Sequence, residues 1–553
     1  MSTRKRSLER LSFPSGRENK TIFWFAGSVQ GMSLERPAFI GFRRGRVFFV
    51  TQPLALIVFL LSWGLAAGRE ADVAQSKPPN IVFLLTDDQH WDSLGCMGNK
   101  TIQTPNLDRL AGEGVLFRNA FVTASVCSVS RAAILTGMYP CSRGSGDLVA
   151  MVTPKNPDLT YPAVLRAAGY ETGYIGKWDV GSGEDGFRMG MKLFDYWGAD
   201  RLHGNYWHEA NCPFVTNDGR KSKEQIQCTC PPKGSDPRVG SVGMRHPVHF
   251  DRDIIPIKAK QFIDGRNREK PFFLAIAFRG PKDPWSDFPA DIAGLYRSNS
   301  LVIPATATEA DAKGQPAFLR ASMASDYGLS LVKNPGKLAN EIRKNYRLVS
   351  TIDQTVGKLR KFLAGQGLDT NTIIVFTSDN GHFYGEHGFW GKWLPYEESL
   401  RVPLIVYDPR LAKNQQGKTR DPMILNIDLA PTFLSWAGLN IPSEMQGRSF
   451  EPLVCGETIP WRKDFYHEFT WTADEKIVPS EGIRSENWKY IRYFDRKPVV
   501  EQLFDLKKDP GETMDLSGNQ EYGDILTEMR NKTEKYRATL QSRKSGETGS
   551  RQH

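Results

Sequence analysis

The chain has 553 residues, of which 40% are hydrophobic and 11% aromatic, so it can bury a large core. This composition excludes a wholly disordered or fibrous protein. The formal net charge is +10, but residues 1–53 hold ten basic and three acidic residues, which leaves only +3 for the remainder. We therefore expect no nucleic-acid partner, because the basic excess belongs to the N-terminus and not to a folded surface.

The N-terminal segment is predicted to be a leader that is removed on export. An apolar run within residues 54–68 follows a basic cluster and ends in small residues, which is the pattern of a secretory signal peptide. The alternatives are a membrane anchor, for which the run is short, and a twin-arginine signal at Arg43 and Arg44. We expect residues 1–68 to be the leader, and Met32 is an alternative start. The mature protein is then periplasmic or extracellular, with no stable membrane span.

Short apolar runs predict the strands of a buried sheet. Residues 81–85 and 373–376 are apolar throughout and are each followed by carboxylate and amide side chains. Further candidate strands are residues 272–278 and 402–407. Helical patterns lie between them, at residues 104–113, 130–136, 161–168 and 342–364. This alternation predicts an α/β sandwich with a large, mostly parallel central sheet flanked by helices.

The pattern changes near Cys455, which indicates a second, smaller unit. Residues 488–494 alternate between polar and apolar side chains, and residues 521–540 have a helical pattern. We expect three parts after the leader: a catalytic domain over residues 76–454, a C-terminal α+β subdomain over residues 455–540, and a polar tail over residues 541–553.

Oxygen-bearing side chains follow two of the predicted strands. Asp87 and Asp88 follow the first, and Asp379 and Asn380 follow the other. Ligands in open α/β sheets bind at the carboxyl ends of strands, so we expect the four side chains to meet. Three carboxylates repel one another unless a cation lies among them, and oxygen ligands suit Ca²⁺ or Mg²⁺. The alternative is that one pair only caps a helix or forms a turn.

A second segment combines a cysteine with an arginine at the start of a predicted helix. Ser128 or Ser130 is expected to cap this helix, and Gly137 is expected to end it. Cys127 then lies at the helix N-terminus, where the partial positive charge favours an anion. Arg131 follows within about one turn, and its guanidinium can hold an oxyanion.

These motifs resemble those of the formylglycine-dependent sulfatases, members of the alkaline phosphatase superfamily. The segment from Cys127 to Gly137 is similar to the family signature Cys-x-Pro/Ala-x-Arg, which continues into Ala-x-x-x-Thr-Gly. Two Gly-Lys-Trp segments, at residues 176–178 and 391–393, match further active-site segments. The resemblance covers most of residues 78–520 and is strongest to secreted bacterial sulfatases that act on sulfated sugars.

The resemblance implies a role for each matching residue. Cys127 would be oxidised to formylglycine by a formylglycine-generating enzyme, and the hydrate of this residue would supply the nucleophilic hydroxyl. The implied calcium ligands are Asp87, Asp88, Asp379, Asn380 and the modified Cys127. Arg131, Lys177 and Lys392 would neutralise the sulfate oxygens.

The chain departs from the family pattern at three positions. Val129 stands where the converting enzyme prefers Pro or Ala, and Asp179 and Lys282 stand where the family has histidines. We expect Asp179 and Lys282 to form an ion pair. We also expect burial near cations to lower the pKa of Lys282, so that it acts as the general acid. His382 and His387 are candidates to replace the lost histidines in substrate binding.

The expected function is hydrolysis of sulfate esters, on sulfated carbohydrate. One alternative is a phosphoester or phosphonate-ester hydrolase of the same superfamily, and the other is a catalytically degenerate carbohydrate-binding relative. Aromatic side chains are candidates for stacking on a sugar ring, although core packing is the simpler role for each. They are Tyr206, Trp207, Trp285 and Trp390.

Overall fold

The structure is a computed structural model, and it describes residues 77–144, 147–200, 206–209, 211–220, 248–297, 301–471 and 476–542. The predicted leader over residues 1–68 lies outside the described residues, as does the tail after residue 542. Across the described part of the chain, no helix combines the length and the apolar character that crossing a membrane requires.

Among the described residues, nine strands form the central sheet. In chain order they are β1 (Asn80–Thr86), β2 (Val115–Phe121), β3 (Glu171–Lys177), β4 (Tyr196–Asp200), β5 (Phe272–Ala277), β6 (Thr372–Ser378), β7 (Arg401–Tyr407), β8 (Lys418–Arg420) and β9 (Ile424–Leu425). The order across the sheet is β8-β2-β7-β6-β1-β5-β3-β4, and β9 pairs with β2. Only the pairs that β7 makes are antiparallel, so the prediction of a mostly parallel sheet is confirmed.

Both faces of the sheet are covered, which explains why its strands are apolar throughout. In β1, Ile81, Phe83 and Leu85 pack into one hydrophobic cluster, whereas Val82 and Leu84 pack into another. The helices of seven residues or more are α1 (Pro105–Glu113), α2 (Cys127–Thr136), α3 (Tyr161–Ala167), α4 (Gly183–Leu193), α5 (Ile255–Gly265), α6 (Met323–Val332), α7 (Pro335–Gly365), α8 (Leu429–Trp436) and α9 (Gly523–Ser542). The first cluster includes side chains of α2, α3, α4, α8 and α9, and the second includes those of α1, α5, α6 and α7.

One predicted helix, residues 342–364, is longer than expected. It is the C-terminal part of α7, which begins at Pro335. The Asn334 side chain caps this helix by accepting the N–H of Lys337 at 3.0 Å, and Pro335 already has the backbone angle that a first helical residue needs. The additional turns contribute Leu338 to the second cluster.

A second sheet follows the central one along the chain. Its strands are β10 (Asp464–Phe469), β11 (Ser480–Ser485), β12 (Trp488–Tyr493) and β13 (Val500–Asp505), which pair in this order and are all antiparallel. Together with α9 they form the expected C-terminal α+β part. The domain boundary near Cys455 stays a prediction.

The sheet order brings four carboxyl ends side by side. The strands β6, β1, β5 and β3 are parallel neighbours, so the residues that follow them meet at one edge. The end of β3 requires a glycine at residue 176. Gly176 has a φ of 98°, and a Cβ there would lie 1.8 Å from the Ala277 carbonyl oxygen. Lys177 is the last residue of β3, and the parallel pairing places it at the same edge as the ends of β1 and β6.

Candidate active site

Four polar residues meet where β1 and β6 end, as the sequence predicts. Asp87 and Asp88 follow β1, and Asp379 and Asn380 follow β6, its parallel neighbour. The Asp88 N–H donates to Asp379 Oδ1 at 3.2 Å, and Asn380 Nδ2 donates to Asp88 Oδ1 at 2.6 Å. All four residues are buried.

Cys127 lies beside these acids. Its Sγ atom is 3.3 Å from Asp87 Oδ1 and 3.6 Å from Asp88 Oδ1. The Lys392 Nζ atom is 2.6 Å from the same sulfur and pairs with Asp88. Cys127 therefore contacts both acidic groups and a cation.

The start of α2 differs from the prediction. Val126 precedes the helix in an extended conformation and no side chain caps it, so the predicted cap by Ser128 or Ser130 is wrong. Gly137 ends the helix with a φ of 65°, which confirms the predicted terminus. Because the helix begins at Cys127, its unpaired N–H groups favour an anion beside that residue.

The acidic residues and Cys127 fit a hard divalent cation. One ligand atom from each of Asp87, Asp88, Cys127 and Asp379 lies within 4.8 Å of the other three, and all four residues are buried. Carboxylates this close repel one another unless positive charge lies among them. Oxygen donors suit Ca²⁺ or Mg²⁺, whereas a thiolate suits softer metals. The donor set therefore fits Ca²⁺ or Mg²⁺ if residue 127 offers oxygen in place of sulfur.

Arg131 and Lys177 lie in the innermost part of the site, where their side chains are each 2% exposed. Arg131 Nε donates to Asp379 Oδ2 at 2.8 Å, and its Nη1 donates to the Lys177 carbonyl at 2.8 Å. The Lys177 ammonium pairs with Asp87. We call Asp87, Asp379, Arg131, Lys177 and Lys392 the floor of the site.

Lys282 and Asp179 lie nearer to solvent, and we call these two residues the mouth of the site. Their side chains are 18% and 13% exposed. Lys282 Nζ is 2.6 Å from Asp88 Oδ2 and 3.8 Å from Cys127 Sγ, whereas Asp179 pairs with Lys177 at 3.2 Å. The predicted ion pair between Asp179 and Lys282 is wrong, because each side chain pairs with a different partner of opposite charge.

The buried charges determine which groups are ionised. Burial raises the pKa of Asp87, but Lys177 and Lys282 outweigh it and hold that pKa well below its usual range. Burial would lower the pKa of Lys282, but Asp87 and Asp88 raise it well above the ordinary lysine value. The predicted lowering is therefore wrong, because the two carboxylates favour the charged form of Lys282. Burial raises the pKa of the Cys127 thiol to about 12.

The two candidate histidines have different surroundings. The ring centroid of His382 is 5.1 Å from that of Trp285 and 5.4 Å from that of Trp390. Burial lowers the pKa of His382 to about 4, against the attraction of Asp88. His387 contacts Gln315 and Tyr396, and neither of these two is a predicted site residue.

Sequence reasoning missed several residues around the site. His90 pairs with Asp92 at 2.7 Å and with Glu386 at 3.3 Å, and its ring stacks on that of Tyr384 at 4.5 Å. Its position two residues after Asp88 was the available signal. The Asp251 carboxylate accepts the N–H groups of Arg279 and Gly280, just before Lys282. No motif in the sequence marks Asp251.

Two protein-family models match this chain. The sulfatase family model matches residues 79–439, and a model described as N-sulphoglucosamine sulphohydrolase, C-terminal, matches residues 385–539. The chain is 28% identical over 542 residues to N-acetylglucosamine-6-O-sulfatase of Bacteroides thetaiotaomicron, which covers 87% of this chain and 90% of that protein. It is 30% identical over 475 residues to arylsulfatase of Clostridium perfringens, which covers 82% of this chain and 93% of that protein.

A solved structure is similar over most of the chain. It is described as a complex with its substrate, D-glucosamine-2-N,6-O-disulfate. The TM-score is 0.68 at 26% sequence identity, and the match covers 85% of this chain and 99% of that one.

Proposed function

Because the chain belongs to the sulfatase family and is a sulfuric ester hydrolase, we propose that it removes sulfate from a sulfated amino sugar. The observation that carries this proposal is the convergence of two lysines on Cys127: the ammonium groups of Lys282 and Lys392 are 3.8 Å and 2.6 Å from its sulfur. An anion bound there would meet positive charge on more than one side. The amino-sugar substrates in the names of the relatives support the choice of sugar.

The floor binds and orients the sulfate group. Arg131, Lys177 and Lys392 neutralise its oxygens in a site with little exposure to water, where charge interactions are strong. When formed from Cys127, formylglycine would supply a hydroxyl nucleophile, and a bound calcium ion would supply the charge that acidifies it. The residues that would hold the ion are Asp87, Asp88, Asp379, Asn380 and the modified Cys127.

Lys282 acts on the leaving group as a fixed charge. It is the most exposed of the four site cations, so it lies on the side from which the sugar must enter and leave. Negative charge develops on the ester oxygen as the bond to sulfur breaks, and a nearby ammonium stabilises that charge. This role needs only the positive charge of Lys282 and its position at the mouth, 2.6 Å from Asp88 Oδ2.

Two tryptophans beside the site are suited to a sugar ring. Trp285 follows Lys282 by three residues, and Trp390 precedes Lys392 by two. Their ring centroids are 4.7 Å apart, and Trp390 is only half-buried. Trp285 is buried, so we propose that Trp390 contacts the substrate sugar together with His382, whose ring centroid is 5.4 Å from that of Trp390. Ligand sites are commonly lined by aromatic side chains.

The central experiment measures conversion of Cys127 and turnover together. The full chain is produced with a formylglycine-generating enzyme, and the mass of the Cys127 peptide is measured. We expect the aldehyde, with hydrolysis of glucosamine 6-sulfate and of 4-nitrophenyl sulfate but not of 4-nitrophenyl phosphate. The Val129→Ala variant separates conversion from catalysis and should raise only the converted fraction. Faster turnover of the phosphate by converted protein would contradict the proposal.

Calcium binding is tested by thermal melting. At an ion concentration 100 times the Kd, we expect about 2.7 kcal/mol of added stability in the wild type. Asp88→Asn should abolish this gain, because it removes a carboxylate from the buried ligand set. Asp421→Asn, an exposed acid paired with Arg118, is the matched control and should keep it. A gain of equal size in Asp88→Asn would contradict this ligand set.

We propose further that the protein is exported and that residues 1–68 are its leader. The basic and apolar parts of this segment support the assignment. N-terminal sequencing of protein from the periplasm or medium tests it. Recovery of the intact N-terminus in the cytoplasm alone would contradict export.

A further inference from the structure

The loop that carries Lys282 is held by side chains from distant parts of the chain. The loop follows β5, and its Pro281 carbonyl accepts from Asn345 Nδ2 at 3.1 Å. The Lys282 carbonyl accepts from the Tyr206 hydroxyl at 2.7 Å. These contacts fix the backbone at Lys282 from the C-terminal side of the loop.

Asp251 holds the other end of the same loop. Its Oδ1 accepts the N–H of Arg279 and its Oδ2 accepts the N–H of Gly280, both at 2.9 Å. The Gly280 carbonyl in turn accepts the N–H of Asp87 at 3.0 Å. The loop is thus tied at one end to Asp251 and in its middle to a residue of the site floor.

Burying a carboxylate costs free energy unless its charge is compensated by hydrogen bonds or by a cation. Asp251 is 1% exposed, and among the described residues no Lys, Arg or His forms an ion pair with it. Burial raises its pKa to about 7, and the N–H groups of Arg279 and Gly280 act against this rise. The two backbone hydrogen bonds to Asp251 therefore offset much of the free-energy cost of burying its charge.

Gly280 shows that the loop is shaped around this carboxylate. A Cβ at residue 280 would lie 2.9 Å from Asp251 Oδ2 and 3.2 Å from Ile352 Cδ1. Real Cβ atoms are almost never so close to another atom, so any larger side chain would displace Asp251 or the loop. The glycine at residue 280 therefore leaves the space that the Asp251 carboxylate occupies.

We propose that Asp251 is a positioning residue, which fixes the ammonium of Lys282 at the mouth of the site by holding the N–H groups of Arg279 and Gly280. It acts through Lys282 and does not touch the substrate. The inference rests on the proposed function, in which Lys282 stabilises the leaving oxygen. A displacement of about 1 Å at a reacting centre can cost roughly 100-fold in rate, so a loosened loop weakens that assistance.

The test uses Asp251→Asn in the full, converted chain. The amide keeps the shape of the carboxylate but can accept from only one of the two N–H groups. We expect kcat on an alkyl sulfate to fall by about 10- to 100-fold and kcat on 4-nitrophenyl sulfate by less than about 3-fold, with KM unchanged. Asp253→Asn, in the same turn, is the control and should match the wild type on both esters. Its Oδ2 accepts the His249 N–H at 2.8 Å.

A second measurement does not depend on turnover. Labelling of Lys282 with an amine reagent, followed by mass spectrometry, reports whether its ammonium has moved. We expect faster labelling of Lys282 in Asp251→Asn and in Gly280→Ala, and unchanged labelling of Lys392. Unchanged labelling of Lys282 in both variants would overturn the inference. Equal losses on the two esters would overturn it too.

The two proposals can fail separately. If the converted wild type hydrolyses no sulfate ester, the proposed function is wrong, while the labelling still shows whether Asp251 positions Lys282. If the wild type is active and Asp251→Asn behaves as the wild type does, only the role of Asp251 is wrong.

Discussion

The floor and the mouth of the active site contain the same kinds of charge but differ in their contact with water. Arg131 and Lys177 in the floor are each 2% exposed, whereas Lys282 and Asp179 in the mouth are 18% and 13% exposed. The resemblance to the sulfatases implies that the floor keeps the family's residues and that the mouth departs from them at both positions. A buried pair that loses one member leaves an uncompensated charge, but a partly solvated pair loses much less.

This difference indicates a division of roles. Charges sealed from water can act on the sulfate group itself, which is the same in every substrate. Charges at the mouth face the part of the substrate that varies, namely the alcohol that leaves. Substitutions in the floor should therefore slow all sulfate esters alike, and substitutions in the mouth should discriminate between leaving groups.

The largest effect is expected from the floor variant Arg131→Gln. It removes a guanidinium that pairs with both Asp379 and Asp87, at 2.8 Å and 3.6 Å. We expect kcat to fall by roughly 100- to 1000-fold on alkyl and aryl sulfates alike. The free energy of unfolding should fall by about 3–5 kcal/mol, because one partner of a buried ion pair is lost.

The matched control for that variant is Arg118→Gln. Arg118 pairs with Asp421 at 2.7 Å, but both side chains are more than half exposed. Its loss should leave activity unchanged and alter stability by no more than about 0.5 kcal/mol. If Arg131→Gln slowed only the alkyl ester, the distinction between floor and mouth would be lost.

The next effect is expected from the mouth variant Lys282→Met, which keeps the length of the side chain and removes its charge. Turnover of an alkyl sulfate should fall by about 10- to 100-fold, because its leaving oxygen carries more charge in the transition state. Turnover of 4-nitrophenyl sulfate should change by less than about 3-fold, because its ring already stabilises that charge. A plot of log kcat against the pKa of the leaving alcohol measures how strongly turnover depends on the leaving group. Its slope should be steeper in the variant. An unchanged slope would contradict the role of Lys282.

The meeting of the floor residues could be predicted from the sequence because it follows from the backbone. The strands β1 and β6 are short apolar runs, and parallel neighbours must bring Asp87 and Asp379 to one edge. The position of Cys127 near a helix N-terminus was predicted from a local helix pattern that ends at Gly137. The first turn of α2 was missed, because Val126 precedes the helix without the side-chain cap that local patterns rely on.

The contacts of the mouth could not be predicted in the same way. Asp179 and Lys282 follow β3 and β5, which are neighbours in the sheet, so their proximity was a reasonable expectation. Their partners depend on where long side chains reach, and Asp88 and Lys177 compete for them. Asp251 touches the loop only through its backbone, and such a contact leaves no pattern in the residue types apart from Gly280.

The smallest effect is expected from Asp179→Asn, which tests whether the mouth needs this negative charge. Asp179 has a φ of 50°, a left-handed conformation that Asn also adopts readily. Lys177 keeps its contact with Asp87 in the floor, so loss of the pair at 3.2 Å leaves no buried charge alone. We expect stability to change by less than about 1 kcal/mol and kcat/KM by less than about 5-fold on both esters.

Asp179→Ala separates the charge of this residue from its backbone conformation. Alanine also lacks the charge, but it pays about 1–2 kcal/mol to hold the left-handed conformation. Thermal melting and kcat/KM of the two variants should therefore diverge, with Asn near the wild type and Ala below it. If Asn lost as much as Arg131→Gln on both esters, Asp179 would act on the sulfate itself, and exposure to water would no longer distinguish the two parts of the site.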